Sequence, residues 1–386
     1  MRILVAPDSF KGSLKSPAVA RAMAAGVREA APDAEVVELP VGDGGEGTLD
    51  ALVAATNGTY EAHTVVGPIG EPVEARLGLL GDGHTVFVEM AEASGLSHVP
   101  PEGRRPLDAT TYGTGQLIHA AFATGRPRLL IGIGGSATTD GGAGALQALG
   151  VRLLDSAGRD LPYGGASLAE LDTLDPGGFV PPPGVEIVVA SDVTNPLTGP
   201  DGAAAVYGPQ KGAGPRDIEV LDAALRHYSV ITARMLGKNW SDAPGAGAAG
   251  GLGFALVAFL GGRLERGVRL VLDTLRFDEH LRGTDLVLTG EGRIDRQTMA
   301  FGKTLTGIGE RAAQARVPVL ALAGSLGTDL GDYRSAGLAG VGSVVPGPLA
   351  LEEAMARGAE LVQEAARRMI EVFLAGRLSA GGGEEP

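Results

Sequence analysis

Residues 129–142 have the sequence LLIGIGGSATTDGG. The stretch begins with apolar residues that predict a short buried strand, and it continues as a run of glycine and hydroxyl residues closed by Asp140 and two glycines. Small residues let backbone N–H groups approach an anion closely, and hydroxyl groups add further donors. We therefore interpret the stretch as a loop that binds phosphate or substrate, with a plain structural turn as an alternative. Its expected contact residues are Gly134, Gly135, Ser136, Thr138 and Thr139. Asp140 is expected to be a metal or substrate ligand, or the cap of the helix that follows.

The same stretch also fits a dinucleotide-binding fingerprint. Gly132, Gly134 and Ala137 have the G-x-G-x-x-A spacing, they follow a predicted strand, and a second strand ends at Asp155. Against this interpretation, residues 138–142 are poor helix formers at the point where the helix should begin. An NAD-dependent oxidoreductase that uses residues 132–155 is therefore kept as an alternative, together with a two-lobed protein that binds a small ligand without catalysis.

Composition limits the class of protein. The chain has 386 residues, of which 44% are hydrophobic and only 4% aromatic, so we expect an α/β fold with a core of aliphatic side chains. The net charge of −14 argues against nucleic-acid binding and against an anionic membrane surface. With no cysteine, the chain has no disulfide and no thiolate site. No apolar run reaches the roughly 18 residues of a spanning helix, and we expect a cytoplasmic protein.

The pattern of predicted elements indicates two domains. Strands and helices alternate in residues 1–60 and again in 280–376, which predicts one parallel sheet of the Rossmann or flavodoxin-like kind, built from both ends of the chain. Short strands separated by turn signals in between predict an inserted mixed α/β domain at 61–279. We expect residues 377–386 to be a disordered tail.

Six carboxylates follow predicted strands in glycine- or serine-rich loops. They are Asp8, Asp43, Glu46, Asp192, Glu291 and Asp295. Ligands of open parallel sheets bind at the carboxyl ends of the strands, so these side chains are candidates for holding Mg²⁺ or for taking a proton from a hydroxyl group. Lys11 and Lys211 lie in comparable loops and could neutralise the charge of a substrate or phosphate.

A partial P-loop occurs at residues 301–304, FGKT. Walker A requires glycine five residues before its Gly-Lys pair, and Gln297 stands there instead. Lys303 is therefore expected to contact phosphate as a point charge or to be a solvated lysine.

Seven blocks of sequence resemble the class I glycerate kinases and occur in the order found in that family. They are APDSFKGSL at 6–14, GDGGEGT at 42–48, YGTGQLI at 112–118, IGGSATTDGG at 133–142, SDVTNPLTGPDGAA at 191–204, YGPQKGA at 207–213 and TGEGRIDRQT at 289–298. The resemblance implies two α/β domains with the site in the cleft between them. It also implies phosphorylation of D-glycerate that depends on ATP and Mg²⁺, with 2-phosphoglycerate expected rather than 3-phosphoglycerate.

Site roles are assigned as hypotheses on this basis. The expected catalytic residues are Asp192, Lys11, Asp8, Asp43, Glu46 and Asp295. The expected cofactor contacts are Gly134, Gly135, Ser136, Thr138, Thr139, Lys211, Glu291 and Lys303. The expected metal ligands are Asp192 and Asp140, with Asp192 alternatively acting as the base. A homodimer is one candidate assembly.

Overall fold

The structure is a computed structural model that describes residues 1–177, 179, 181–296 and 304–381. Contacts between Cα atoms divide the chain into two units. Unit 1 contains Met1–Asp43, Asp50–Thr56 and the chain from Val268 onward, and unit 2 contains Gly44–Leu49 and Asn57–Gly267. The predicted α/β class is confirmed.

The strands are β1 (Arg2–Val5), β2 (Glu35–Glu38), β3 (Thr59–Val66), β4 (Pro72–Leu79), β5 (Thr85–Glu89), β6 (Arg128–Gly132), β7 (Arg152–Leu154), β8 (Thr173–Asp175), β9 (Glu186–Ala190), β10 (Arg263–Glu265), β11 (Leu286–Ile294), β12 (Val319–Leu326) and β13 (Gly340–Ser343). The helices are α1 (Ser16–Ala30), α2 (Thr48–Thr56), α3 (Ala91–Ser94), α4 (Tyr112–Ala123), α5 (Ala143–Ala148), α6 (Ala203–Tyr207), α7 (Pro215–Leu236), α8 (Leu252–Leu260), α9 (Gly267–Thr274), α10 (Phe277–Leu281), α11 (Thr304–Ala315), α12 (Leu351–Ala356) and α13 (Gly358–Gly381).

Unit 1 is built on a parallel sheet with strand order β13-β12-β11-β1-β2. Ile3 of β1 lies opposite Leu286 of β11, so the two ends of the chain share the centre of the sheet. Apolar side chains of α1, including Val19 and Met23, are fully buried in the same core as Val362 of α13. Parallel strands place all their carboxyl ends at one edge of the sheet, which positions the loops that follow β1 and β11.

Unit 2 is built on a mixed sheet with strand order β10-β9-β6-β5-β4-β3. β3, β4 and β5 pair antiparallel, whereas β5, β6, β9 and β10 pair parallel. β7 and β8 form a separate antiparallel pair. The parallel half brings the ends of β6 and β9 together, and these strands precede two of the glycine-rich motifs.

Two elements extend beyond their predicted ends. β11 continues to Ile294 and pairs with β12 from Val287 to Ile294, so Glu291 lies inside a strand and not in a loop. The helix at the carboxyl end continues to Gly381, five residues into the segment expected to be disordered. Residues 382–386 lie outside the described part. Among the described helices, none is long and apolar enough to span a bilayer.

Gly26 lets α1 pack directly on α13. A Cβ atom at this position would lie 2.1 Å from the Gln363 carbonyl oxygen. We expect Gly26→Ala to lower the free energy of unfolding by more than about 1 kcal/mol, because backbone atoms cannot yield as side chains do. Gly376→Ala is the matched control on α13, where a Cβ would meet nothing within 4 Å. It should raise stability by about 0.5–1 kcal/mol, the ordinary gain of alanine over glycine in a helix. Urea unfolding of both variants measures this, and equal effects of the two substitutions would contradict the packing argument.

Candidate functional site

In unit 1, the Asp8 carboxylate is held at the carboxyl edge of the parallel sheet. Its own N–H donates to the Gly290 carbonyl oxygen at 2.9 Å. Oδ1 accepts a hydrogen bond from the Ser9 N–H at 2.6 Å, and Oδ2 accepts one from the Thr304 hydroxyl at 2.6 Å. Thr304 belongs to α11, so this helix supplies one of the groups that hold the carboxylate. Thr304 was not among the predicted site residues, although it follows the lysine of the incomplete P-loop in the sequence.

Asp8, Asp43 and Lys11 form one electrostatic group. Burial, and then the negative charge of Asp43, raises the pKa of the Asp8 carboxyl to about 6, while the hydrogen bonds from Thr304 and Ser9 and the charge of Lys11 act in the opposite direction. A carboxylate with such a pKa is ionised at neutral pH and is basic enough to accept a proton from a reacting hydroxyl. The structure thus brings together three of the residues expected to be catalytic.

The remaining unit 1 candidates are less enclosed. Asp295 directly follows β11, and its Oδ2 lies 2.8 Å from Nε of Arg293, most of whose side chain is exposed. Exposed ion pairs of this kind contribute little to stability. The pair holds the Asp295 carboxylate against a guanidinium at the surface of the protein. Glu291 is half-buried within β11. Lys303 lies outside the described residues.

In unit 2, the two glycine-rich motifs touch through their backbones. A Cβ atom at Gly132 would lie 2.6 Å from the Gly44 carbonyl oxygen, and a Cβ at Gly134 would lie 2.6 Å from the Gly45 Cα. Gly44 has φ +86°, and a Cβ there would lie 2.7 Å from the Ala190 Cβ at the end of β9. Side chains at these positions would separate the loops. Glycine is therefore required for the contact itself, in addition to any approach of a ligand.

Glu89 fixes one of these loops, although the sequence analysis did not identify it. The residue is 3% exposed, and its carboxylate accepts hydrogen bonds from the N–H groups of Gly47 and Leu49, each at 2.8 Å. These N–H groups flank the start of α2 and have no acceptor within the helix. The available signal was the single charged residue in the apolar run TVFVEM at 85–90.

Asp140 caps the helix that follows it. The carboxylate is completely buried and accepts hydrogen bonds from the Thr111 N–H and hydroxyl, both at 2.8 Å, and from the N–H groups of Gly142 and Gly144. Burial raises the pKa of Asp140, and these four donors oppose that shift. With both oxygens engaged inside the protein, the geometry favours the cap interpretation over the metal-ligand interpretation.

Lys211 reaches the central loop from the YGPQKGA motif. Its side chain is buried, and Nζ donates to the Ser136 hydroxyl at 2.7 Å and to the Thr138 carbonyl oxygen at 2.5 Å. Burial lowers the pKa of Lys211 to about 7, and the charge of Asp140 raises it in part. Lys211, which was predicted to neutralise the charge of a substrate or phosphate, is thus in direct contact with the central loop.

The central loop has an accessible half and a buried half. Gly134 is half-buried and Gly135 is exposed, whereas Thr138 and Thr139 are completely buried. The two threonine hydroxyls have no hydrogen-bond partner among the described residues. An anion can therefore approach the two glycines, but Ser136 is buried, and the threonine hydroxyls would be reached only after a rearrangement.

Asp192 and Glu46 are exposed carboxylates of unit 2. Oδ1 of Asp192 accepts a hydrogen bond from the Gly267 N–H at 2.9 Å, which fixes the carboxylate just beyond the end of β9. Glu46 lines a cavity of about 250 Å³ together with Glu89, Glu92 and His98. Across the described ranges, no group of three or more acidic, histidine or cysteine side chains is arranged to hold a metal ion.

Comparison with known proteins assigns the family. The model of the glycerate kinase family matches residues 3–374. The chain is 46% identical over 382 residues to the glycerate 2-kinase of Escherichia coli strain K12, which covers 99% of this chain and 100% of the relative. The chain belongs to the glycerate kinase family.

Other glycerate kinases are similar to this chain over nearly its whole length. The glycerate kinase of Bacillus subtilis strain 168 is 48% identical over 95% of this chain and 96% of its own. The crystal structure of a putative glycerate kinase 2 from Salmonella typhimurium LT2 matches with a TM-score of 0.88 and 47% identity, covering 98% of this chain and 99% of that one. The family resemblance inferred from the seven motif blocks is confirmed.

The glycerate kinase fold also explains why the dinucleotide interpretation fails. A dinucleotide fingerprint needs its strand, helix and next strand to form one parallel unit. In this chain α5 begins only at Ala143, and β7 pairs antiparallel with β8 instead of joining β6. The NAD-dependent alternative is not supported.

The buried ammonium of Lys211 predicts a pH-dependent stability. Because its folded pKa of about 7 lies below the ordinary value of 10.5, the unfolded chain binds more protons between these values. The free energy of unfolding of the wild type, relative to Lys211→Met, should therefore increase by about 2 kcal/mol between pH 7 and pH 9 and stay flat below pH 6. Urea unfolding at pH 5 to 9 measures the difference. A difference that does not change with pH would show that Lys211 is solvated.

Proposed function

We propose that the protein is a glycerate 2-kinase, which transfers the γ-phosphoryl group of ATP to the 2-hydroxyl of D-glycerate and releases 2-phosphoglycerate and ADP. The observation that carries the proposal is the match of nearly the whole chain to glycerate kinases, with all seven motif blocks present. The choice of the 2-hydroxyl is supported by the name of the Escherichia coli relative. We also propose a cytoplasmic location, because ATP is available there, and keep the homodimer as a prediction.

Asp8 is the proposed general base. Its carboxylate is fixed by two hydrogen bonds, and its pKa of about 6 suits the removal of a hydroxyl proton near neutral pH. Thr304 acts through Asp8 by holding one oxygen, which leaves the geometry of the carboxylate well defined. Lys11, whose charge acts on Asp8, is the proposed contact for a phosphate or for the substrate.

Asp192 is the proposed Mg²⁺ ligand. It is an exposed hard oxygen donor at the end of β9, and the Gly267 N–H orients it, so the residue fits the ion. Mg²⁺ in kinases is usually held by one or two carboxylates, with ATP supplying the other oxygens, so a cluster of three protein ligands is not needed. When bound, Mg²⁺ would neutralise charge on the phosphate oxygens. Gly134 and Gly135, the accessible part of the central loop, are the proposed anion contact.

A coupled assay tests the function. ADP release should require D-glycerate, ATP and Mg²⁺ together, and NMR of the product should show the phosphate on carbon 2. Phosphate on carbon 3 would overturn the assigned position only. Ligand-induced thermal stabilisation without turnover would instead favour a binding protein.

The interaction between Asp8 and Asp43 predicts a shift in the pH profile. Asp43→Asn removes the neighbouring negative charge, so the acidic limb of kcat/KM, expected near pH 6, should move down by about half a unit to one unit. Asp33→Asn is the matched control, because Asp33 is exposed on the same unit. Initial rates of the wild type and both variants, measured between pH 5 and pH 8, give the position of the acidic limb in each. If the acidic limb of Asp43→Asn lies at the same pH as that of the wild type, Asp8 is not the general base.

A further inference from the structure

Lys11 lies in a tight turn, residues 10–14, that follows Asp8 in unit 1. The turn is closed at its base by Phe10 and Leu14, whose N–H groups each donate to the other's carbonyl oxygen, at 2.8 and 2.9 Å. Phe10 is buried in the core of unit 1, whereas Lys11 is exposed. Among the described residues, none holds the Lys11 ammonium by a hydrogen bond or an ion pair. The position of this charge beside Asp8 therefore depends on how the backbone of the turn is held.

The first support of the turn is the sheet. A Cβ atom at Gly292 of β11 would lie 3.2 Å from the Lys11 backbone nitrogen and 3.4 Å from the Phe10 Cα. A Cβ at Gly324 of β12 would lie 3.5 Å from the Phe10 ring. The two glycines thus let the first half of the turn lie directly on the strands.

The second support is α12, a helix that is itself at the surface. α12 has six residues, all of them described, and none is buried. The Ser13 hydroxyl donates to the Met355 carbonyl oxygen at 2.9 Å. Gly12 has φ +78°, and a Cβ there would lie 3.1 Å from the Met355 Cε. Met355 lies in the last turn of α12, where carbonyl oxygens have no amide partner within that helix, so the hydroxyl satisfies an acceptor.

Two features join this contact to the long helix α13. The Arg357 guanidinium donates to Glu353 of α12 at 3.0 Å and to Glu360 of α13 at 2.6 Å. Gly358, the first residue of α13, leaves room for Ser13, since a Cβ at this position would lie 2.5 Å from the Ser13 Oγ. α13 contributes to the same core as α1. Ser13 therefore reaches a backbone that the core of unit 1 holds.

We propose that Ser13 and Met355 are positioning residues for Lys11, an inference that rests on the proposed kinase function. The hydrogen bond between Ser13 and Met355 fixes the turn on α12, and the fixed turn keeps the Lys11 ammonium beside Asp8 before a ligand arrives. A lysine has a long flexible stem, so a fixed backbone limits the volume that its ammonium can explore. Holding that backbone in advance reduces the conformational entropy that is lost when a phosphate or the substrate binds.

Steady-state kinetics in two backgrounds test the proposal. Ser13→Ala should lower kcat/KM about 3- to 10-fold, the range expected for one lost hydrogen bond. In a Lys11→Met background, the same substitution should change kcat/KM less than about 1.5-fold, because the residue that Ser13 positions is already gone. Ser335→Ala is the matched control, because the Ser335 hydroxyl donates to the Asp332 carbonyl oxygen at 2.7 Å on the surface of the same unit. It should leave kcat/KM unchanged in both backgrounds.

Equal losses in the two backgrounds would show that Ser13 acts through the fold and not through Lys11, and would overturn the proposal. The proposal also fails if either Ser13→Ala or Lys11→Met retains the kcat/KM of the wild type.

Gly358→Ala is an independent variant of the same contact. Its Cβ would displace the Ser13 hydroxyl, so it should lower kcat/KM as Ser13→Ala does. In the double variant the hydroxyl is absent, and Gly358→Ala should add little to the effect of Ser13→Ala. Fully additive losses of the two substitutions would contradict the proposed contact.

The carboxyl carbon of Asp8, followed by NMR, gives a readout that does not require turnover. Burial and then the charge of Asp43 raise the pKa of the Asp8 carboxyl, and the charge of Lys11 lowers it. Lys11→Met should therefore move the titration of Asp8 to higher pH, and Ser13→Ala should move it in the same direction by a smaller amount. Ser335→Ala should leave the titration in place. A titration in Ser13→Ala identical to that of the wild type would overturn the proposal.

The two readouts separate the two levels of inference. If the wild type does not phosphorylate D-glycerate but the titration of Asp8 responds to Ser13→Ala as expected, the kinase function fails and the positioning of Lys11 stands. If the wild type phosphorylates D-glycerate and neither readout responds to Ser13→Ala, the positioning fails and the kinase function stands.

Discussion

The contact between two glycine-rich backbones is the constraint on which the rest of unit 2 depends. Gly44 and Gly45 lie so close to Gly132 and Gly134 that no side chain would fit between them. The contact lies at the ends of β5 and β6. These two ends are joined by a hydrogen bond from the Met90 N–H to the Gly132 carbonyl oxygen at 2.9 Å. Glu89, one residue earlier, ties the 44–49 loop to the same strand ends through two further hydrogen bonds. Two motifs that are distant in sequence are thereby fixed against each other by backbone contacts and by the Glu89 carboxylate.

Two buried charges near this contact differ in how well they are compensated. Asp140 accepts four hydrogen bonds, three of them from backbone N–H groups, so its burial serves the architecture around α5. Lys211 bonds two neutral oxygens, and burial lowers its pKa to about 7. A fully compensated charge has little capacity left for a ligand, whereas an incompletely compensated one gains free energy when an anion arrives. Asp140 and Lys211 are therefore similarly buried but differ in how far hydrogen bonds compensate their charges.

The sequence allowed the fold class and the motif loops to be predicted because both depend on local patterns. Apolar runs that end in polar, glycine-containing loops predicted β1 and β6, and both strands are present. The end of β11 was missed, since its pairing with β12 as far as Ile294 is a long-range property. Glu89 was missed for a related reason. A charged residue in an apolar run marked it as unusual, but its partners, Gly47 and Leu49, lie 42 and 40 residues away in the chain.

The hydroxyl groups of the central loop show how one motif can serve two purposes. Its second half is packed beneath other glycines: a Cβ at Gly250 would lie 1.9 Å from the Thr138 carbonyl oxygen, and one at Gly165 would lie 2.2 Å from that of Thr139. Such packing fills the space around both threonines and removes their hydroxyls from solvent. Of the first half, Gly134 is half-buried and Gly135 is exposed, whereas Ser136 is buried. The Ser136 hydroxyl accepts a hydrogen bond from Lys211, so it too is engaged inside the protein. The buried threonines therefore present no exposed donors, and their packing holds the accessible glycines of the loop in place.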